Sequence, residues 1–196
     1  MDTTQLFLRA QNLAGITQSQ WEEFTQAFAL KSFKKSELML KAGDKSDVFY
    51  VLTKGIARNY DLDDKGKEYT KVFRGPGEII GPYAETLAKT PTRFFIQALS
   101  DCEAISFSYA HFVSMMDKYP QWQKLGRVMA EENYLEKEKR EYELLHYSAE
   151  RRYQEFLSQY GELALEIPQY HVASLLGISP EALNRIIKNS VKKIIP

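Results

Sequence analysis

Turn signals recur at close intervals between residues 31 and 107, and this spacing constrains the fold more than any other feature. Glycine marks these turns at Ala42-Gly43-Asp44, Lys54-Gly55, Asp64-Lys65-Gly66 and Gly75-Pro76-Gly77. The runs between them, such as VFYVL and EYTKVF, are short and rich in β-branched and aromatic residues, which is typical of strands. They leave no room for helical crossovers of about a dozen residues, which argues against a parallel sheet. The segment therefore predicts an antiparallel sandwich or jelly roll.

Helical patterns lie on both sides of this segment. In residues 17–30 aromatic side chains recur near one helical face, and Thr17 or Ser19 is positioned to cap the helix. A short helical segment follows Tyr109 and ends at Pro120. A second helix starts there and extends over about 25 residues, or about 37 Å at 1.5 Å per residue. That length exceeds what a small domain requires.

The long helix carries a partial heptad pattern. Val128, Leu135 and Tyr142 recur every seven residues, as in the seam of a coiled coil. Glu132 and Lys139 interrupt the second seam position, so packing against the chain's own domain is the alternative. We expect a homodimer interface on this helix. Its predicted residues are Leu125, Val128, Met129, Leu135 and Tyr142.

Three shorter helices are predicted after the long one. Ser148 is a candidate N-cap for a helix that Gly161 ends. Pro168 opens the next helix, Gly177 closes it, and Ser179 caps the last. The two helices around Gly177 have the lengths and turn chemistry of a helix-turn-helix. An ordinary helical hairpin that completes a core is the alternative interpretation.

The last of these helices has an outer face with a defined chemistry. Glu181, Asn184, Arg185 and Lys188 are mutual neighbours at spacings of three and four residues. Side chains so placed on a recognition helix enter the major groove of DNA. There Arg185 could pair with guanine and Glu181 could accept a hydrogen bond from cytosine.

The total charge of the chain neither supports nor excludes nucleic acid as a partner. The 26 basic and 26 acidic residues cancel, but a zero total says nothing about local patches. From residue 182 to the end there are four basic residues and no acidic one. Such a segment can neutralise phosphates. The four are Arg185, Lys188, Lys192 and Lys193.

Few residues suit metal, redox or catalytic chemistry. The single cysteine, Cys102, excludes an intrachain disulfide and an iron–sulfur cluster held by this chain alone. Three widely spaced histidines predict no metal site, and the sequence contains no P-loop, GxSxG or HExxH motif. We therefore do not expect an enzyme. Without a signal peptide or a stretch of about 20 apolar residues, we expect a cytoplasmic protein with no membrane association.

The order of these segments resembles that of the Crp/Fnr family of bacterial transcription regulators over nearly the whole chain. The family's β-roll pattern lies in LMLKAGD, in the FYVL strand, in the DDKGKE hairpin and in the GPGEIIG turn. SAERRYQEFL resembles its linker, and IPQYHVASLLGISPEALNRIIK resembles its helix-turn-helix. The resemblance implies an α+β fold. It would consist of an antiparallel β-roll (a double-stranded β-helix or jelly roll) with flanking helices, a long dimerisation helix and a C-terminal helical domain.

The resemblance also implies a domain organisation and partners. A β-roll sensor domain would span residues 1–119, a dimerisation helix and hinge 120–147, and a DNA-binding domain 148–196. Only NSVKKIIP follows the recognition helix, so this is either a variant without the family's β-hairpin wing or a cut chain. The expected partners are double-stranded palindromic DNA, a second copy of the chain, RNA polymerase as a further candidate, and an unknown small-molecule effector or none.

Particular positions follow from the same resemblance. Asn184 is a departure, because the family commonly has serine or glycine there. The implied DNA-binding residues are Gln169, Ser179, Glu181, Asn184, Arg185 and Lys188. The alternative to a DNA-binding regulator is a ligand-binding module whose helical end docks a protein.

A ligand pocket in the roll would lie around Ile79, Gly81, Tyr83, Arg93 and Phe94. Nucleotide-binding members follow the last glycine of the GEIIG-type turn with glutamate, which holds the ribose. They later have an arginine for the phosphate and then a small residue. Here Pro82 replaces that glutamate, and Phe94 replaces the small residue after Arg93. We therefore expect no cyclic nucleotide; a different small molecule and no ligand at all are the alternatives, and no other cofactor is predicted.

Overall fold

The structure, a computed structural model, describes residues 3–192. Two four-stranded sheets form its β-roll, with strand orders β1-β8-β3-β6 and β2-β7-β4-β5. Strand β8 pairs antiparallel with β1 and β3, and β2 pairs antiparallel with β7. The strands are β1 (Ala29–Phe33), β2 (Leu38–Leu40), β3 (Val48–Lys54), β4 (Ala57–Leu62), β5 (Glu68–Arg74), β6 (Ile79–Ile80), β7 (Phe95–Ala98) and β8 (Cys102–Ser108).

Helices flank the roll in sequence and occupy the C-terminal third of the chain. The predicted α+β fold, with an antiparallel β-roll, flanking helices, one long helix and a C-terminal helical domain, is confirmed. The helices are α1 (Thr3–Ala14), α2 (Gln18–Thr25), α3 (Tyr83–Ala88), α4 (Tyr109–Lys118), α5 (Pro120–His146), α6 (Ala149–Tyr160), α7 (Gln169–Leu176) and α8 (Pro180–Lys192), with a 3-10 helix at Gly161–Leu165.

The roll interior lies between the two sheets. Alternate residues of β3 and β8, such as Leu52 and Ala104, point inward and meet Ile96 and Ala98 of the other sheet. Phe94, just before β7, also belongs to this cluster. These side chains are at most 4% exposed, so they form a packed core.

A second apolar cluster covers the other face of the sheet that contains β3. Phe49 of β3 and Phe107 of β8 point outward there and meet Phe24, Phe112 and Trp122 of the helices. The ring centroids of Phe24 and Trp122 are 4.5 Å apart. Burial of such aromatic side chains contributes much of the stability of a core.

The N-terminal helices differ in part from the prediction. Thr17 caps α2 as predicted, through a capping box with Gln20. However, α2 ends at Thr25, not near residue 30, because Ala29–Phe33 form strand β1 along β8. Helix α1 is not among the predicted helices.

The chain divides into two compact units. One comprises Met1–Asn59 with Phe73–Leu135, and the other Tyr60–Val72 with Glu136–Pro196. The tip of the β4–β5 hairpin thus belongs to the unit that contains the C-terminal helices. The division at residues 119 and 147 stays a prediction from the sequence. Within residues 3–192, no helix combines the length and apolar character needed to span a bilayer.

Candidate nucleic-acid interface

A tight turn joins α7 to α8. The amide of Gly177 donates to the carbonyl of Ser174, and that of Ile178 donates to the carbonyl of Ala173, which is the Schellman arrangement. Gly177 has φ of 68° and ψ of 32°, a left-handed conformation that costs glycine little and other residues more. Gly177, predicted from the sequence to close α7, therefore permits the tight turn between the two helices.

The start of α8 is fixed by its own cap. The Oγ atom of Ser179 accepts a hydrogen bond from the amide of Ala182 at 3.2 Å. The pKa of Glu181 is lowered, first by a hydrogen bond from its own amide and then by one from Ser179. Glu181 is therefore ionised at neutral pH and presents acceptors at the first turn of the helix.

The two faces of α8 differ as predicted. Leu183 and Ile186 are buried against α7, whose Val172, Leu175 and Leu176 are buried as well. Ile178, in the turn, and Ile187 of α8 are half-buried. The residues predicted to contact DNA are all exposed in this unit: Gln169, Ser179, Glu181, Asn184, Arg185 and Lys188. Lys193 lies outside the described residues, as does the side chain of Lys192.

Two arginines hold the carboxyl end of α7. The Nη2 atom of Arg140 donates to the carbonyl of Leu175 at 3.1 Å, and Nε of Arg152 donates to that of Leu176 at 3.1 Å. Carbonyls at the end of a helix lack partners within the helix, and its dipole favours cations there. Burial lowers the pKa of Arg140.

Sequence reasoning missed both arginines. Arg140 lies in the charged run EENYLEKEKREYE, where one more basic residue indicates only a solvated helix face. Its partner in α7 is 35 residues away in sequence. This role can be recognised only when the position of the end of α7 in the fold is known.

Comparisons with known proteins agree with this architecture. Residues 30–119 match the model of the cyclic nucleotide-binding domain. The anaerobic regulatory protein of Haemophilus influenzae is 24% identical over 169 residues, which cover 80% of this chain and 65% of that protein. The protein of the same name from Pasteurella multocida is 25% identical, over 80% of this chain and 61% of its own length. The chain thus spans less than two thirds of the length of these relatives.

Solved structures share the fold over most of the chain. FixK2 from Bradyrhizobium japonicum matches with a TM-score of 0.76 and 18% identity, over 86% of each chain. A Crp/Fnr-family regulator from Eubacterium rectale matches with a TM-score of 0.69 and 15% identity, over 91% of this chain and 85% of its own. The chain thus has the fold of these regulators over most of its length, and its β-roll matches the cyclic nucleotide-binding domain. The fold that the resemblance to the Crp/Fnr family implies is thereby confirmed.

The first part of the long helix α5 packs in the chain's own core. Leu125 is buried in the helical cluster with Phe112 and Trp122, and Met129 packs against that cluster. These two predicted dimer residues therefore pack in the chain's own core. The heptad pattern marks an apolar face but does not identify what covers it. Val128 is half-buried.

The rest of the predicted seam is open in the single chain. Leu135 is 64% exposed and Tyr142 is 55% exposed. Tyr134 and Leu145 are exposed too. Large apolar side chains at successive turns of one helix are typical of a face that another protein surface covers.

The residues predicted to line a ligand pocket in the Crp/Fnr roll do not face one common space. Phe94 lies in the interior between the sheets, whereas Ile79 and Tyr83 pack against the helical cluster. A side chain at Gly81 would meet the ring of Phe49. The predicted pocket is therefore divided between two cores.

Arg93, which stands where nucleotide-binding relatives have their phosphate-binding arginine, is paired with a carboxylate of the chain. Its side chain is 83% exposed, and its Nε lies 3.5 Å from Oε1 of Glu85, whose side chain is 5% exposed. Pro82, in the place of the family's ribose-binding glutamate, is buried before α3. Within residues 3–192, no group of three or more histidine, cysteine, aspartate or glutamate residues is arranged to hold a metal ion.

Proposed function

We propose that this protein is a cytoplasmic DNA-binding transcription regulator of the Crp/Fnr type that acts as a homodimer on a palindromic site. One observation carries the proposal. Helix α8 buries Leu183 and Ile186 and leaves Glu181, Arg185 and Lys188 exposed, behind a Schellman turn of helix-turn-helix type. A helix with this division can place its polar side chains in the major groove while α7 supports it.

Each exposed residue has a proposed role. Arg185 donates to O6 and N7 of guanine, and Glu181, ionised at neutral pH, accepts from N4 of cytosine. Asn184 has both a donor and an acceptor for a base edge. Gln169 and Ser179 lie at the starts of α7 and α8, where side chains and amides can contact phosphates.

The proposed homodimer rests on the open part of α5. Leu135, Tyr142 and Leu145 are more than half exposed along a helix of 27 residues. Two such helices would bury these side chains against each other as in a coiled coil. A two-fold dimer would place two copies of α8 in successive major grooves, about 34 Å apart.

The β-roll is proposed to act without cyclic AMP or cyclic GMP. A cyclic phosphate buried in the roll needs a cation and several hydrogen-bond donors. Phe94 fills part of the interior, and Arg93 pairs with Glu85 at the surface. An effector of other chemistry, or none, then modulates DNA binding, and RNA polymerase is a proposed partner at the promoter.

Selection of bound DNA from a random pool tests this function. The expected result is enrichment of an inverted repeat, with half-sites separated by about one helical turn. A parallel selection with Glu181→Ala should change the enriched bases. Failure to enrich any sequence would contradict the proposal and favour the alternative, in which the helical end of the chain docks a protein.

A further inference from the structure

Strand β5 is the outermost strand of its sheet, after β4 in the order β2-β7-β4-β5. The side chain of Ser174, on α7, binds it twice. The hydroxyl of Ser174 accepts a hydrogen bond from the amide of Thr70 at 2.9 Å and donates to the carbonyl of Glu68 at 3.0 Å. Residues two apart in a strand present their backbone groups to the same side. The hydroxyl therefore takes the place that another strand would take at this edge.

Arg140, on α5, binds both the same strand edge and α7. Its Nη2 atom donates to the carbonyl of Thr70 at 3.2 Å and also to the carbonyl of Leu175 at 3.1 Å. One guanidinium nitrogen thus bridges the hairpin and α7. Thr70 is 1% exposed, so its amide and carbonyl need protein partners in place of water.

The hairpin is a firm attachment point because its tip is held by several hydrogen bonds. Asp63 accepts from the amides of Lys65 and Lys67 through Oδ1, and from the hydroxyl of Tyr69 through Oδ2. A side chain that binds the backbone two and four residues on stabilises a turn. A displacement of the hairpin is therefore transmitted to Thr70 rather than absorbed in the loop.

We propose that Ser174 and Arg140 form a clasp that ties the β4–β5 hairpin to α7 and positions the helix-turn-helix for DNA. The clasp consists of Glu68, Thr70, Arg140 and Ser174. This inference rests on the proposed function and extends it to residues that control DNA affinity without contacting DNA.

The clasped arrangement is the one that favours DNA binding. The clasp reaches α7 through Ser174 and through the carbonyl of Leu175 near its carboxyl end, whereas the polar face of α8, with Glu181 and Arg185, stays exposed. A fixed α7 holds this face in one orientation, so less conformational freedom is lost when DNA binds. Ser174 and Arg140 are thus positioning residues.

Hydrogen exchange tests the contact itself in the full chain. Ser174→Ala removes the acceptor for the amide of Thr70, which should exchange faster together with its neighbours in the hairpin. Ser174→Thr keeps a hydroxyl and should restore protection. Ser158→Ala, at an exposed serine of α6, is the matched control and should change nothing in the hairpin. Unchanged protection of Thr70 in Ser174→Ala would overturn the clasp.

Affinity for the selected DNA tests the coupling. Ser174→Ala and Arg140→Gln should each weaken binding by about 5- to 30-fold, within the usual range for coupled sites, with the same base preference as the unchanged protein. The double variant should lose less than the product of the two losses, because both act through one contact. Lys137→Gln removes one positive charge from an exposed site on the same helix and controls for electrostatics.

The outcomes separate the two proposals. If the unchanged protein binds no DNA sequence preferentially, the proposed function fails, while the exchange data still decide whether the hairpin is tied to α7. If the unchanged protein binds a site and Arg140→Gln binds it as tightly as Lys137→Gln does, the positioning role is overturned. Thermal unfolding of each variant, followed by circular dichroism, ensures that folded proteins are compared.

Discussion

The guanidinium of Arg93 is paired with Glu85, at 3.5 Å between Nε and Oε1, and it lies at the protein surface. A phosphate clamp would require this cation inside the roll. The neighbouring Phe94 is 4% exposed and occupies interior space, where nucleotide-binding members of the family carry a small residue. The pair and its neighbour together support the proposal that the roll acts without a cyclic nucleotide.

We therefore predict that cyclic AMP and cyclic GMP do not stabilise the protein. A ligand at 100 times its Kd would add about 2.7 kcal/mol to the free energy of unfolding, which shifts the melting temperature measurably. Thermal unfolding with and without millimolar nucleotide measures this directly. A saturable shift that disappears in Arg93→Gln would contradict the prediction.

Charge placed in the open seam of α5 should dissociate the proposed dimer. Leu135→Glu and Tyr142→Glu bring like charges together across a two-fold axis and bury them without partners. Sedimentation velocity of each variant should show a shift from dimer to monomer. Leu165→Glu, at a leucine that is 87% exposed on another element, is the control and should leave the dimer intact. If both seam variants dimerise with unchanged affinity, the interface lies elsewhere.

A side chain at Gly177 should destabilise the helix-turn-helix through backbone strain. At φ of 68° the cost for a residue with a Cβ atom is about 1–2 kcal/mol. The added Cβ would meet only Leu144, at 3.6 Å, so a clash contributes little. Urea denaturation of Gly177→Ala measures the loss, and Gly177→Asn should lose less, since asparagine tolerates this conformation better. Equal stability of all three proteins would show that the turn is not strained.

The interaction of Glu23 with Lys118 and Tyr119 predicts a pH dependence of stability. Hydrogen bonds from Lys118 and then Tyr119 lower the pKa of Glu23, and Glu23 raises the pKa of Lys118. A lowered carboxyl pKa contributes stability above the unfolded value of 4.5, which is lost as pH falls through the folded value. A raised lysine pKa contributes below 10.5, and this is lost as pH rises through the folded value.

Lys118→Met should therefore be less stable than the unchanged protein at pH 7, with a difference that shrinks as pH falls below 4.5. Denaturation at a series of pH values measures it. Lys124→Met, at an exposed lysine of α5, serves as the control and should show no such convergence. A difference between Lys118→Met and the unchanged protein that is constant from pH 7 to pH 3 would mean that packing, not charge, accounts for the loss.

Features that depend on local chemistry could be predicted from the sequence. Ser148 caps α6 through the amide of Arg151, Ser179 caps α8, and Gly177 ends α7, all as predicted. Each of these interactions joins residues at most four positions apart, so the sequence contains both partners side by side. The strands of the roll were predictable for the same reason, because alternation and turn residues are local signals.

Features that depend on distant partners could not be predicted. Ser174 binds Thr70 across 104 residues of sequence, and a serine in a helix gives no sign of such a partner. Leu125 was placed in the dimer seam because periodicity identifies an apolar face, but the face is covered there by Phe112 and Trp122. The pocket residues were chosen by resemblance in sequence, whereas in the fold Ile79 packs against the helical cluster and Phe94 lies between the sheets.

The central claim is that α8 reads DNA through Arg185. The most direct measurement is fluorescence anisotropy of the selected palindrome and of single-base variants of it, at physiological salt, with the unchanged protein and with Arg185→Ala. We predict that the unchanged protein binds the palindrome at least about 1,000-fold more tightly than random DNA. Arg185→Ala should lose about 1–3 kcal/mol and its preference at one base pair of each half-site. Equal affinity of the unchanged protein for the palindrome and for random DNA would contradict the account.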